Sequence, residues 1–236
     1  MREWFEELDE SLWLPGDEGS DQQAQFIKDA LGLRKGEQVL DAPCGSGRIA
    51  LCLARAGCVL TGIDRNAGFI ARAREQFRQE RLPGTFHVMD LRRLYFQEGF
   101  DAAFNWHGSF GYFSDEENAE VLCRLAAALR PGGRLLIDQP NRENMLRHFL
   151  PEMRTGEAVH RNRWDPVSQR VESIWTFTRD GREESSRSTM RIYTPAQFRD
   201  LFSDAGLRWE TAFGSWDGAA YCRSSRRLVV VARKPT

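Results

Sequence analysis

Lysine is nearly missing from this chain. Of its 33 basic residues only Lys28, Lys35 and Lys234 are lysines, and 34 acidic residues bring the formal net charge to −1. Proteins that wrap nucleic acid usually carry a basic face, so this balance disfavours such a partner. Long apolar runs are missing too: none approaches the roughly 20 residues that span a bilayer, and no membrane association is expected. The opening stretch, with Glu3, Glu6 and Glu7 among its first residues, reads as neither a secretory signal nor a transit peptide. Paired-cysteine spacing is absent. The five cysteines, Cys44, Cys52, Cys58, Cys123 and Cys222, are odd in number and never spaced CxxC, which points to reduced thiols in a cytoplasmic protein. His87, His107, His148 and His160 fit no HExxH-type pattern, so no protein-bound metal is expected.

What is present is the make-up of an ordinary folded protein. With 236 residues, 41% of them hydrophobic and 28% charged, the chain suits one large domain, or one domain with an embellishment. Trp4, Phe5, Leu8 and Leu12 recur at helical spacing, interrupted at Pro15-Gly16. After a polar stretch, residues 22–31 read as a helix that Gly32 can cap. The period then changes. Strands are predicted at 38–41, 59–64, 85–90, 100–105 and 134–138, with helices at 48–56, 67–79 and 118–129, the last halted by Pro131-Gly132-Gly133. Such β-α alternation argues for a doubly wound α/β fold whose mostly parallel sheet is covered on both faces. Between residues 159 and 193 the pattern becomes a three-stranded meander, 160–164, 170–179 and 184–193, with turns at 165–168 and at Asp180-Gly181. Thr194 as N-cap and Pro195 at the first position open another helix, ending at Ala205-Gly206. Strands at 207–213 and 227–233 complete the chain.

The chemistry concentrates in residues 39–48. A strand delivers Asp41 at its carboxyl end, Gly45 and Gly47 allow a tight turn with bare backbone, and the next helix offers its first N–H groups. Ligands of open α/β sheets bind at this edge. The stretch from Gly45 to Ala50 formally satisfies the dinucleotide pattern GxGxxG/A, a weak signal alone. Against a dinucleotide, Asp41 would face a pyrophosphate unfavourably. A cofactor bearing an ammonium and a sulfonium would gain from that carboxylate. Asp64, 23 positions on, ends the second strand and can accept from ribose hydroxyls of either cofactor. Asp90 ends the third strand and can accept from an adenine amino group while Met89 and Leu91 pack the ring. Asn105 ends the fourth. All four would line one rim of the sheet.

These motifs resemble those of the class I S-adenosylmethionine-dependent methyltransferases. Residues 39–50 are similar to the family's glycine motif, Gly62-Ile63-Asp64 to its ribose-acid motif, Val88-Met89-Asp90 to its adenine motif and residues 129–135 to the turn before strand five. The match is strong over residues 20–140. It is weaker at 104–113, 193–198, 204–207 and 227–230, which resemble the branch acting on small bacterial metabolites. The resemblance implies a Rossmann-like seven-stranded sheet with the last strand antiparallel, in a core of residues 36–158 completed by 194–236. It also implies a helical lid at 1–35 and an antiparallel β insertion at 159–193 that walls the acceptor or forms a homodimer surface. Implied cofactor contacts are Asp41, Ala42, Pro43, Cys44, Gly45, Ser46, Gly47, Asp64, Arg65, Met89, Asp90, Leu91, Asn105 and Trp106. Cys44 would contribute backbone, although a helix N-terminus can lower a thiol's pKa.

The implied reaction is an in-line methyl transfer to a nitrogen or oxygen of a small molecule, leaving S-adenosylhomocysteine. It needs no protein nucleophile, only positioning and water exclusion. His107 is a candidate general base or a polar residue shaping the pocket, and Tyr112 a second catalytic candidate or a core residue. Trp4, Phe5 and Trp13 are candidate lid residues, Trp164 and Arg191 candidate substrate contacts. Pro43 stands where many members have glycine, and Asn105-Trp106-His107-Gly108 departs from the Asn-Pro-Pro-Tyr signature of nucleic-acid amino methyltransferases, which disfavours DNA. The alternatives are an NAD-type oxidoreductase on a similar sheet and a cofactor-binding module without catalysis.

Overall fold

The structure, a computed structural model, describes residues 19–155, 158–179 and 182–236. The candidate lid residues Trp4, Phe5 and Trp13 and the expected turn at Asp180-Gly181 lie outside the described residues. The main sheet is built from β1 (Gln38–Asp41), β2 (Val59–Asp64), β3 (Gly84–Val88), β4 (Phe100–Asn105), β5 (Leu129–Pro140), β10 (Arg208–Phe213) and β11 (Arg227–Arg233). Its order is β10-β11-β5-β4-β1-β2-β3. β5, β4, β1, β2 and β3 run parallel, whereas β11 lies antiparallel between β5 and β10.

Strict alternation along each central strand explains why both faces are covered. Val39, Leu60, Phe104, Leu136 and Val229 point into one apolar layer, under α1 (Ser20–Leu31), α2 (Arg48–Arg55) and α3 (Ala67–Glu80). Leu40, Ile63, Ala103, Ile137 and Val230 point into the other, under α4 (Asp115–Ala128) and α6 (Pro195–Asp204). Polar caps fix where the helices begin. Asn66 accepts from the Phe69 N–H at 3.1 Å to start α3. Ser114 with Glu117, and Thr194 with Gln197, form reciprocal capping boxes for α4 and α6. The Ser114 box starts α4 three residues before the expected Asn118, because an acidic first turn is favourable at a helix N-terminus.

A single 3-10 turn, Leu91–Arg93, capped by Asp90, joins β3 to β4. Two local expectations need correction. The run through Pro131-Gly132-Gly133 is the irregular start of β5: its register against β4 shifts between the Phe100–Leu129 and Ala102–Arg134 pairs. The insertion has four strands rather than three. A short α5 (Arg142–Arg147) leads into β6 (Glu152–Thr155), which edges the sheet β6-β7-β8-β9 with β7 (Ala158–Asp165), β8 (Arg170–Arg179) and β9 (Arg182–Arg191). This small sheet docks where Gly111 meets the end of β9. The Arg191 N–H donates to the Gly111 carbonyl at 2.8 Å, and a Cβ on Gly111 would overlap the Arg191 carbonyl oxygen.

Candidate cofactor and acceptor site

Asp41, Asp64 and Asn105 are the last residues of β1, β2 and β4, so their side chains reach the carboxyl edge together. The strand order reverses between β1 and β4, the crevice where open α/β sheets bind ligands. The turn from β1 into α2 is tied to β2 at its tip. Asp64 Oδ2 accepts the Gly45 N–H at 3.0 Å while Oδ1 accepts the Asn66 N–H at 2.8 Å. Gly45 and Gly47 both have left-handed backbone, φ 52° and 79°, yet serve different ends. A Cβ on Gly45 would project into open space, whereas one on Gly47 would lie 2.9 Å from the Ala73 Cβ. Gly45 therefore leaves backbone bare toward the rim, and Gly47 lets α2 approach α3.

The electrostatics favour a cation. Asp41 is 2% exposed, and burial, reinforced by the negative charge of Asp64, pushes its pKa well above the carboxylate range against the pull of Arg48. Burial also raises Asp64, despite the N–H groups of Asn66 and Gly45 that favour its ionised form. Two desolvated carboxylates side by side repel an anion and are stabilised by a positive group between them. Asn105 is fully buried; its Nδ2 donates to the Ala42 carbonyl at 2.8 Å, and its Oδ1 has no hydrogen-bond partner among the described residues. Bare glycine backbone, paired acids and an orphaned amide oxygen fit an adenosyl cofactor with a charged amino-acid end.

The other sequence candidates fall into three groups. Ala42 and Cys44 are held by backbone, donating to the carbonyls of Phe104 and Ile63. Pro43, Ser46 and Arg65 are half-buried around the turn, and Arg65 lies near enough to Asp64 to lower its pKa. Burial, followed by the charges of Asp41 and Asp64, raises the Cys44 thiol well above its ordinary pKa, opposite to the lowering that a helix N-terminus alone would give. Met89 and Leu91 flank Asp90 as expected, but both Asp90 oxygens accept from Arg92, at 3.1 and 2.7 Å. Burial works to raise the Asp90 pKa; Arg92 outweighs it and holds the carboxyl low.

Trp106 is a wall residue. It is 4% exposed, its Nε1 donates to Gln23 Oε1 at 2.9 Å, and its ring lies 5.4 Å from Trp216. Arg48 joins it by donating to Ser20 Oγ and Gln23 Oε1, which clamps α1 against the glycine turn. His107 follows at φ 60°, its ring 5.6 Å from Trp216. Tyr112 and Arg191 line a different cavity of about 550 Å³, with Arg92, Arg170 and the first turn of α4. Trp164 lies on β7 opposite Val171 of β8. Sequence reasoning missed Gln23, Asp138, Trp216 and Arg227, which carry no motif.

The family profile described as a methyltransferase domain matches residues 39–133. The chain thus carries a methyltransferase domain, of the S-adenosylmethionine-dependent kind. A Geobacillus protein with the methyltransferase designation GWCH70_2453 is 25% identical over 214 residues, covering 86% of this chain and 87% of that one. Several other curated matches are shorter, the chain spanning from 24% to 61% of those relatives' length. The fold of this methyltransferase is similar to that of CcbJ from Streptomyces caelestis, with a TM-score of 0.78 at 20% identity and 94% of each chain covered. It is also similar to S-adenosylmethionine-bound CalS10, an amino pentose methyltransferase from Micromonospora echinaspora, with a TM-score of 0.63 at 18% identity and 92% and 91% of the chains covered. The oxidoreductase alternative falls with these matches.

Proposed function

We propose that this methyltransferase methylates a nitrogen or oxygen of a small-molecule acceptor, as bacterial enzymes of natural-product biosynthesis do. The observation that carries the cofactor half is the pair of buried carboxylates beside the bare backbone of Gly45. Asp41 would hold the cofactor's ammonium, whose charge offsets the cost of ionising a buried acid. Asp64 would meet the ribose hydroxyls and the Gly45–Ser46 backbone the methionine end. Met89 and Leu91 would pack the adenine, with Asp90 at its amino group and Asn105 Oδ1 as a further acceptor. When bound, S-adenosylmethionine supplies an electrophilic methyl group on a sulfonium, so the chain needs no nucleophile of its own.

The acceptor half rests on the rim after β4. His107 stands there as the base for a proton that the acceptor loses, and the small sheet, docked on the same rim loop through Gly111, bounds the acceptor side, while Arg191 faces the separate cavity that it shares with Tyr112. Tyr112 is a poor base, since burial pushes its phenol up to about 12; it shapes the wall instead. The amino pentose methyltransferase with a similar fold supports a small amine as acceptor. The deciding experiment is calorimetric titration of wild type and Asp64→Ala with S-adenosylmethionine and S-adenosylhomocysteine, with NADH as control. Saturable binding of both sulfur nucleosides, at least tenfold weaker in the variant, is expected. Binding that ignores the substitution would remove Asp64 from the site.

A further inference from the structure

Asp138 belongs to no cofactor motif, yet it is fully buried next to the rim. It lies on β5, where β11 runs alongside with Val229 opposite it and Arg227 two residues away. Arg227 donates twice, Nε to Oδ1 at 2.8 Å and Nη2 to Oδ2 at 2.5 Å. Oδ2 also accepts the His107 N–H at 3.0 Å, and the Asp138 carbonyl accepts the Gly108 N–H at 3.0 Å. Two successive amides of the rim loop thus end on one residue. Trp216, from the loop between β10 and β11, completes the group. Its Nε1 approaches Oδ1 at 3.4 Å, its ring lies against that of His107, and the Arg227 guanidinium sits 5.2 Å over it.

We propose that Asp138, Arg227 and Trp216 are positioning residues for His107, holding its backbone and ring at the rim so that the imidazole can take the proton lost by the methyl acceptor. This rests on the reading of His107 as the base. His107 is not glycine, yet its φ is 60°, a conformation L-residues rarely adopt, and the paired amide hydrogen bonds to Asp138 hold it there. A buried ion pair is weak evidence of added stability, since apolar side chains can often fill the same space equally well. Apolar side chains could not accept from the His107 amide.

The charges that face His107 are Arg227 on β11, Asp138 on β5 and Arg48 on α2. Asp217, next to Trp216, is exposed and its carboxylate is engaged by Ser215 and the Ala219 N–H. The atoms packed round the ring desolvate it, which lowers the His107 pKa; Arg227 and Arg48 add to this and Asp138 opposes it. Near neutral pH the ring is therefore uncharged and able to accept. Because His107 keeps exposed surface, the proton can pass on to solvent.

The test is an NMR titration of the His107 ring in the full chain, as wild type, Asp138→Asn, Arg227→Gln and the double variant. Wild-type His107 is expected to titrate below the ordinary histidine value of about 6.5. Asp138→Asn removes the charge that raises it and should move the midpoint further down. Arg227→Gln removes a charge that lowers it and should move the midpoint up. The double variant buries no lone charge, keeps the comparison open if a single variant fails to fold, and should fall between them. With an acceptor in hand, the acid limb of kcat should follow the same displacements. A wild-type midpoint at or above the ordinary value, or shifts of the same sign in the two single variants, would overturn the positioning role. Turnover indifferent to His107→Gln would strike the base reading, whatever the titrations give.

Discussion

Gly45 and Gly47 are two residues apart with similar backbone, and the structure separates their roles. Replacing either with alanine puts a Cβ on left-handed backbone, which costs about 1–2 kcal/mol. For Gly45→Ala that is the whole folding cost, because the new carbon meets nothing within 4 Å. For Gly47→Ala the Cβ lies 2.9 Å from the Ala73 Cβ and 3.6 Å from a Phe86 ring atom, so α2 or α3 must move. Overpacking of that kind adds about 1–3 kcal/mol, for a total of about 2–5 kcal/mol. In a chain of this size 1 kcal/mol lowers Tm by about 2–4 °C. Gly45→Ala should therefore melt only a few degrees low, and Gly47→Ala ten degrees or so. Binding should rank the other way. The Gly45 Cβ occupies the space the cofactor would use, and the loss of S-adenosylhomocysteine affinity should be at least tenfold, about 1.4 kcal/mol. Folded Gly47→Ala should lose less. Urea unfolding and calorimetry on the same preparations read both quantities. Equal affinity for Gly45→Ala and wild type, or greater stability of Gly47→Ala than of Gly45→Ala, would refute this division of labour.

Three further predictions probe other parts of the molecule. Gly111→Ala should undock the small sheet, because the Cβ cannot coexist with the Arg191 carbonyl; hydrogen exchange should rise at the ends of β8 and β9 while S-adenosylhomocysteine binding persists. Asp41 has a folded-state pKa above its unfolded value, so its ionisation costs stability as pH rises through the folded pKa and the cost disappears below the unfolded one. Asp41→Asn should accordingly raise the urea midpoint of the cofactor-free protein at neutral and higher pH, flatten its pH dependence and weaken cofactor binding; a destabilised variant at high pH would contradict this. Ser114→Ala removes half of the α4 capping box and should cost about 1 kcal/mol in urea unfolding, with no change in cofactor affinity.

The sequence made the proposed cofactor half of the site legible and left the proposed acceptor half dark, for a physical reason. Asp41, Asp64 and Asn105 each stand where a hydrophobic strand ends, and Gly45 lies in the turn that follows the first of them, so local periodicity places them on one edge. Their roles follow from the chain's nearest neighbours. Asp138 also ends an apolar run, but what it does depends on Arg227, 89 positions later, and on β11 entering the sheet between β5 and β10. No local pattern encodes that insertion. Trp216 sits in a loop, where neither period nor cap marks it. β6 and α5 span four and six residues, too short for alternation or amphipathicity to register. Asp90 shows the converse failure. Its position was legible, but its engagement with Arg92 was not, because a side chain two residues away turned back on it rather than to solvent.

The same contrast separates the two ends of the implied reaction. The proposed cofactor contacts come from backbone turns and strand ends, which any sequence forming this sheet must supply, so they can be read from short motifs. The proposed acceptor contacts come from elements added to the sheet: the β6–β9 insertion, the rim loop after β4 and the β10–β11 loop. The Asp138–Arg227 pair joins two of these additions, since it anchors His107 in the rim loop and approaches Trp216 in the β10–β11 loop. A change of acceptor could then come through either loop without touching Asp41, Asp64 or the glycine turn. Swapping residues 214–226 for the corresponding loop of a methyltransferase with another acceptor should alter acceptor preference and leave S-adenosylhomocysteine affinity within about twofold, about 0.4 kcal/mol. Parallel loss of both would mean that the two halves of the site are not separable in this way.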